Sequence, residues 1–164
     1  MTVFLSLLTI IAQIIIVVLL WAFFTGERRI GDFVSVRAPL LAFLAVLGAI
    51  SGSLYYSNIL GFEPCSLCLY QRYIMFLMVF ILGMGLWKKY HVKNHIIVLS
   101  VMSASIGIYQ YYGQTFNNSV LPCAAAQASC AKLFFIEFGY ITIPLMALTA
   151  AVLVGVLMLF QKKV

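Results

Sequence analysis

Cys65 and Cys68 stand three residues apart in "EPCSLCLYQRYIMF", and Arg72 follows four residues after the second thiol. Another pair, Cys123 and Cys130, lies in "PCAAAQASC", and these four are all the cysteines of the chain. Paired thiols exchange disulfides, cross-link a fold or bind a metal. A cross-link over so short a separation gains little loop entropy, and a bundle of buried helices does not need one. A metal site would call for four thiolates or added histidines, but His91 and His95 fall in the opposite loop, so no metal is expected. Cys-x-x-Cys at a helix start is the arrangement of redox dithiols. Pairing within each motif is the simplest resting state, and exchange between the pairs needs one step.

The neighbouring residues favour that chemistry. Gly61 ends one apolar segment and Pro64 suits the first turn of the next. Cys65 and Cys68 then fall near a helix N-terminus, where partial positive charge favours a thiolate. Arg72 lies on the face of Cys68, one turn deeper. A lone arginine at a helix end reads as a side chain reaching for the interface. With a cysteine one turn before it, the costly membrane charge reads instead as a partner for a thiolate or a reduced organic anion.

The elements that must position these groups are membrane helices. The chain has 164 residues, 65% of them hydrophobic and 9% charged, with a mean hydropathy of +1.12; soluble domains carry about 25% charged residues. Five apolar stretches are each long enough to span the bilayer: Val3 to Phe24, Ala38 to Leu60, Leu69 to Trp87, Ile96 to Tyr112, and Gly139 to Phe160 with Pro144 inside it. The fold class expected is an all-α integral membrane protein, a four-helix transmembrane bundle plus one extra N-terminal transmembrane helix. Residues 1–37 would hold that helix and a cytoplasmic loop, and residues 38–164 the redox domain. The first stretch lacks the basic start and small-residue cleavage site of a signal peptide, so a retained helix is expected.

The net charge of +6 belongs to short clusters beside the apolar runs, which argues for membrane orientation rather than nucleic-acid binding. Arg28, Arg29 and Arg37, then Lys88, Lys89 and Lys93, then Lys162 and Lys163 fall in alternate loops. One topology satisfies them all: N-terminus outside, C-terminus cytoplasmic, both cysteine loops outside, where disulfides persist. Trp21 and Trp87, with Tyr55, Tyr56, Tyr70, Tyr111 and Tyr112, are expected as interface anchors.

Together, "EPCSLCLYQRYIMF", "PCAAAQASC" and "IEFGYITIPLMAL" resemble the disulfide bond formation protein B (DsbB) family, in its BdbC-like branch with a short second cysteine loop. The resemblance covers roughly Ala38 to Phe160. It implies a multi-pass protein of the bacterial cell membrane that reoxidises a DsbA-like thioredoxin-fold partner and passes the electrons to a quinone, ubiquinone or menaquinone. The system that includes this family keeps the bacterial periplasm oxidising. By that resemblance Cys123 forms the mixed disulfide, Cys130 attacks Cys65, and Cys68 is released beside Arg72, with the quinone at Cys68 and Arg72. Gln71 and Tyr73 are weaker candidates for the pocket. The extra first helix and the short spacing of Cys123 and Cys130 depart from the best-known branch. A short loop has less reach, and "AKLFFIEF" is apolar enough to hold Cys130 near the bilayer surface.

Three other readings compete. A vitamin K epoxide reductase-like enzyme places its loop pair before the Cys-x-x-Cys, whereas here it follows. A carrier of reducing equivalents needs thiols on both faces. The third is a non-catalytic scaffold with inert disulfides.

Overall fold

The computed structural model describes residues 2–26, 28–61, 64–88, 90–116 and 138–161. Cys123, Cys130, Lys89, Lys132, Lys162, Lys163 and nearly all of "AKLFFIEF" lie outside them. The described residues form five helices: α1 (Thr2–Thr25), α2 (Arg28–Asn58), α3 (Ser66–Lys88), α4 (Lys93–Thr115) and α5 (Ile143–Phe160). All five are long and apolar enough to cross a membrane. The protein is an all-helical membrane protein, as its composition requires.

Three boundaries differ from the sequence expectation, each for a physical reason. The expected loop at 25–37 is mostly helix, because α2 begins at Arg28 and runs unbroken through position 38. Val34, Ala38, Ala42, Val46 and Ile50 recur every four residues and are all buried. That apolar stripe holds the helix together through Pro39, whose ring removes one backbone bond. Pro144 sits in the first turn of α5 rather than inside it, where its missing N–H had no helical partner to lose. Pro64 precedes α3, and Cys65 takes the cap position, its carbonyl accepting from Leu69 N at 3.0 Å.

The bundle is organised around α5, which packs against α4, α2 and α1, while α3 packs on α2 and α4. The buried face of α4 reads Ile96, Ser100, Ser103, Gly107, Gln110, Gln114, with spacings alternating four and three. Its lipid-side residues are instead Val98, Val101, Met102 and Ile108. Small and polar residues inside, apolar ones outside, is how membrane helices approach closely and bond across their interface. A Cβ on Gly107 would stand 3.1 Å from both Gln71 Nε2 and Leu148 Cβ. On the opposite end of the bundle from the cysteines, Lys93 Nζ donates to the carbonyls of Leu159 and Gln161, both at 2.9 Å. It thereby caps the C-terminus of α5.

Because Gly107 is where α3, α4 and α5 close on one another, Gly107→Leu should overpack that junction. The expected loss is about 1–3 kcal/mol, read as a lower thermal midpoint of the full chain in detergent micelles.

Candidate functional site

The loop from α2 to α3 delivers the first cysteine pair. Gly61 adopts φ +67°, the left-handed conformation that glycine takes without steric cost. This turns the chain out of α2 and back into α3. Cys65 is 4% exposed and Cys68 is half-buried. Their sulfurs are in hydrogen-bond contact, Cys65 Sγ donating to Cys68 Sγ at 3.3 Å. A disulfide needs about 2.05 Å, so closure asks for roughly 1 Å of side-chain movement.

A residue that the sequence reading missed joins the pair. Gln110, on α4 and 1% exposed, donates its Nε2 to Cys68 Sγ at 3.0 Å and to Cys65 Sγ at 3.3 Å. An amide donor aimed at both sulfurs stabilises negative charge on whichever is released when the disulfide opens. The available signal was positional. Gln110 is an amide on the small, polar stripe of α4, near the same end of the bundle as the Cys-x-x-Cys.

Arg72 sits one turn below Cys68, as its spacing predicts. Its guanidinium bonds α2, with Nε to Ser53 Oγ and Nη2 to the Ser53 carbonyl, both at 3.1 Å. These bonds orient the guanidinium and leave it further N–H donors. Gln71 is 3% exposed, and its Nε2 donates to the Ser103 carbonyl at 3.1 Å, tying α3 to α4. Tyr73 is 65% exposed on the outer surface of the bundle and does not join the site, because position 73 falls on the far face of α3. Tyr56, expected at the interface, is instead buried.

Cys68, Gln71, Arg72, Ser53 and Tyr56 line one cavity of about 360 Å³ between α1, α2, α3 and α5. Cys65 does not line it. Apart from these groups, Thr9 and Thr149, its walls are aliphatic, methionine, proline, alanine and glycine. An apolar chamber of roughly 300–1,000 Å³ with a few convergent polar groups is the usual form of a small-molecule site.

Comparison with known proteins supplies the family. The model of "Disulfide bond formation protein DsbB" matches residues 35–161. The chain belongs to the DsbB family. Disulfide bond formation protein C of Bacillus subtilis is 35% identical over 124 residues, 74% of this chain and 89% of its own length. The SPbeta prophage-derived disulfide bond formation protein B of the same organism is 38% identical over 109 residues, covering 66% and 73%. A probable disulfide formation protein of Chlamydia pneumoniae is 34% identical over 112 residues, covering 68% and 81%. No solved structure matches. Membership of the DsbB family makes the chain a membrane thiol–disulfide oxidoreductase.

Gln110→Leu removes the amide donor facing both sulfurs, together with a buried carbonyl oxygen that has no partner among the described residues. Fold stability should change little. Opening and re-forming of the Cys65–Cys68 bond should slow by roughly 10–100-fold, the worth of a hydrogen bond to a charged group at about 1.5–3 kcal/mol. Stopped-flow thiol exchange on the purified full chain checks this.

Proposed function

We propose that the protein reoxidises a DsbA-like thioredoxin-fold partner outside the cytoplasm and passes the electrons through its two cysteine pairs to a membrane quinone, ubiquinone or menaquinone. The observation that carries this reading is that Cys68 and Arg72 share the apolar cavity while Cys65 lies outside it. The chamber suits a quinone: its walls take an apolar ring and tail, and Arg72 offers N–H donors to an oxygen that becomes anionic on reduction.

The exchange steps balance. A partner thiolate attacks Cys123 of the Cys123–Cys130 disulfide and releases Cys130. A second partner thiolate then frees Cys123 and leaves the partner oxidised. Cys130 attacks Cys65, forming a Cys65–Cys130 bond and releasing Cys68 as a thiolate that the Gln110 amide receives. Cys123 next attacks Cys130, restoring their disulfide and freeing Cys65. Cys65 and Cys68 would then re-form their bond by giving two electrons and two protons to a quinone, the oxidant that the chamber would hold. Arg72, held by Ser53, orients the acceptor and stabilises its developing charge. With Cys65 only 4% exposed, Cys130 reaches it only when the residues covering it part.

The charge distribution supports the orientation. Arg29, Lys88 and Lys93 lie at the end of the bundle away from Cys65, and cytoplasmic loops carry the excess of Lys and Arg. The cysteine end then faces the periplasm or cell exterior.

Arg72→Met keeps much of the side-chain volume but removes the donors. The KM for quinone should rise about tenfold or more, equivalent to about 1.4 kcal/mol, while exchange between the partner and the Cys123–Cys130 pair keeps its rate. Quinone reduction driven by a reduced thioredoxin-fold protein, assayed in reconstituted membranes, is the measurement. An unchanged KM would remove Arg72 from the site.

A further inference from the structure

The family match begins at residue 35, so α1 lies wholly before it. Nevertheless α1 supplies a wall of the cavity, through Leu5, Leu8, Thr9 and Ala12. This helix is fastened on one side only. It packs along α5 and only slightly against α2. Gln13 Nε2 donates to Thr149 Oγ1 at 3.4 Å, and the Tyr140 hydroxyl donates to Gln13 Oε1 at 3.0 Å. Near the other end, the rings of Phe23 and Phe160 meet edge to face at 5.7 Å. All these ties run to α5 or to the residues just before it.

The opposite side of α1 meets α2 along Ala45, Gly48, Ala49 and Gly52, all of which line the cavity. A Cβ at Gly48 would meet nothing within 4 Å, and one at Gly52 would meet only the Leu5 methyls, at 3.6 and 3.8 Å. Gly48 therefore borders open space and Gly52 meets only the ends of a flexible side chain, so neither permits a tight crossing as Gly107 does. Without α1, the wall bearing Cys68 and Arg72 would open sideways to lipid. With it, the chamber is closed by a helix fixed at α5 and lightly seated at α2.

We infer that the seam between α1 and α2, at Gly48 and Gly52, is the lateral passage by which the quinone head reaches Cys68 and through which its isoprenoid tail returns to the lipid. The inference rests on the quinone reading above and adds to it that α1 is the selective wall. A long tail needs a continuous apolar slot from chamber to bilayer, and the side-chain-free stretch of α2 supplies one. Leu5, poised over Gly52 at the cysteine end, narrows the slot there.

The test uses the full chain in reconstituted membranes with two acceptors: a long-tailed quinone and a head-group analogue with a short tail. Gly48→Phe should raise the KM for the long-tailed quinone about tenfold or more while changing that for the short analogue much less. Val101→Phe, on the lipid side of α4 and away from the cavity, should change neither. Reduction of the Cys65–Cys68 disulfide by a small dithiol, which needs no quinone, reports whether the fold and thiol site survive. If Gly48→Phe fails to accumulate, Gly52→Leu carries the same test. An unchanged KM for the long-tailed quinone overturns the passage. Equal rises for both acceptors also overturn it, because the new ring would then be filling the chamber itself. A wild-type chain that exchanges disulfides but reduces neither acceptor overturns the quinone reading, and the passage with it.

Discussion

One amide ties both thiols of the Cys-x-x-Cys pair to the bundle interior. Gln110 reaches from α4 to both sulfurs of the Cys-x-x-Cys motif, at 3.0 and 3.3 Å. That contact requires α4 to lie close to α3, which Gly107 and the bond from Gln71 to the Ser103 carbonyl enforce. It also requires α5 behind them, where a Cβ on Gly155 would come within 3.3 Å of Ser100 Cβ. The polar stripe of α4 thus serves packing and chemistry together. In hydrocarbon, amides and hydroxyls are retained where they bond across helices, and here Gln110 of the stripe meets two thiols.

The two sulfurs are chemically equivalent in sequence but not in place. Cys65 caps α3 and is buried away from the cavity, whereas Cys68, one turn on, opens into it beside Arg72. A helix N-terminus produces this split without special strain, because residues three apart differ in depth by about one turn. Ser53 completes the arrangement. Its hydroxyl and carbonyl hold a guanidinium that would be expensive to leave unbonded in the membrane. Of the two sulfurs, then, Cys68 alone faces the chamber.

Much of this was legible in the residues. Cys65, Cys68 and Arg72 are conspicuous because thiols in pairs and a charge in an apolar run have few alternative explanations. Gln71 was picked out as a pocket group and does line the cavity, although its amide is spent on Ser103. Gln110 was not legible by type, since a neutral amide in a helix carries no chemical signature until its neighbour is known. The start of α2 was obscured because Arg28, Arg29 and Arg37 read as a loop, while the buried spacing of Val34, Ala38 and Ala42 makes it helix. The part of α1 in the cavity was illegible for a similar reason. Leucines and alanines facing a chamber look the same in sequence as those facing lipid.

In the proposed mechanism Cys68, and not Cys65, is the sulfur that meets the quinone. The most direct measurement is the visible absorbance of quinone-loaded single-substitution variants. Cys65→Ser leaves a Cys68 thiolate in the cavity against an electron-poor ring and should develop a charge-transfer band that Cys68→Ser lacks. A band in Cys68→Ser and none in Cys65→Ser would contradict the assignment.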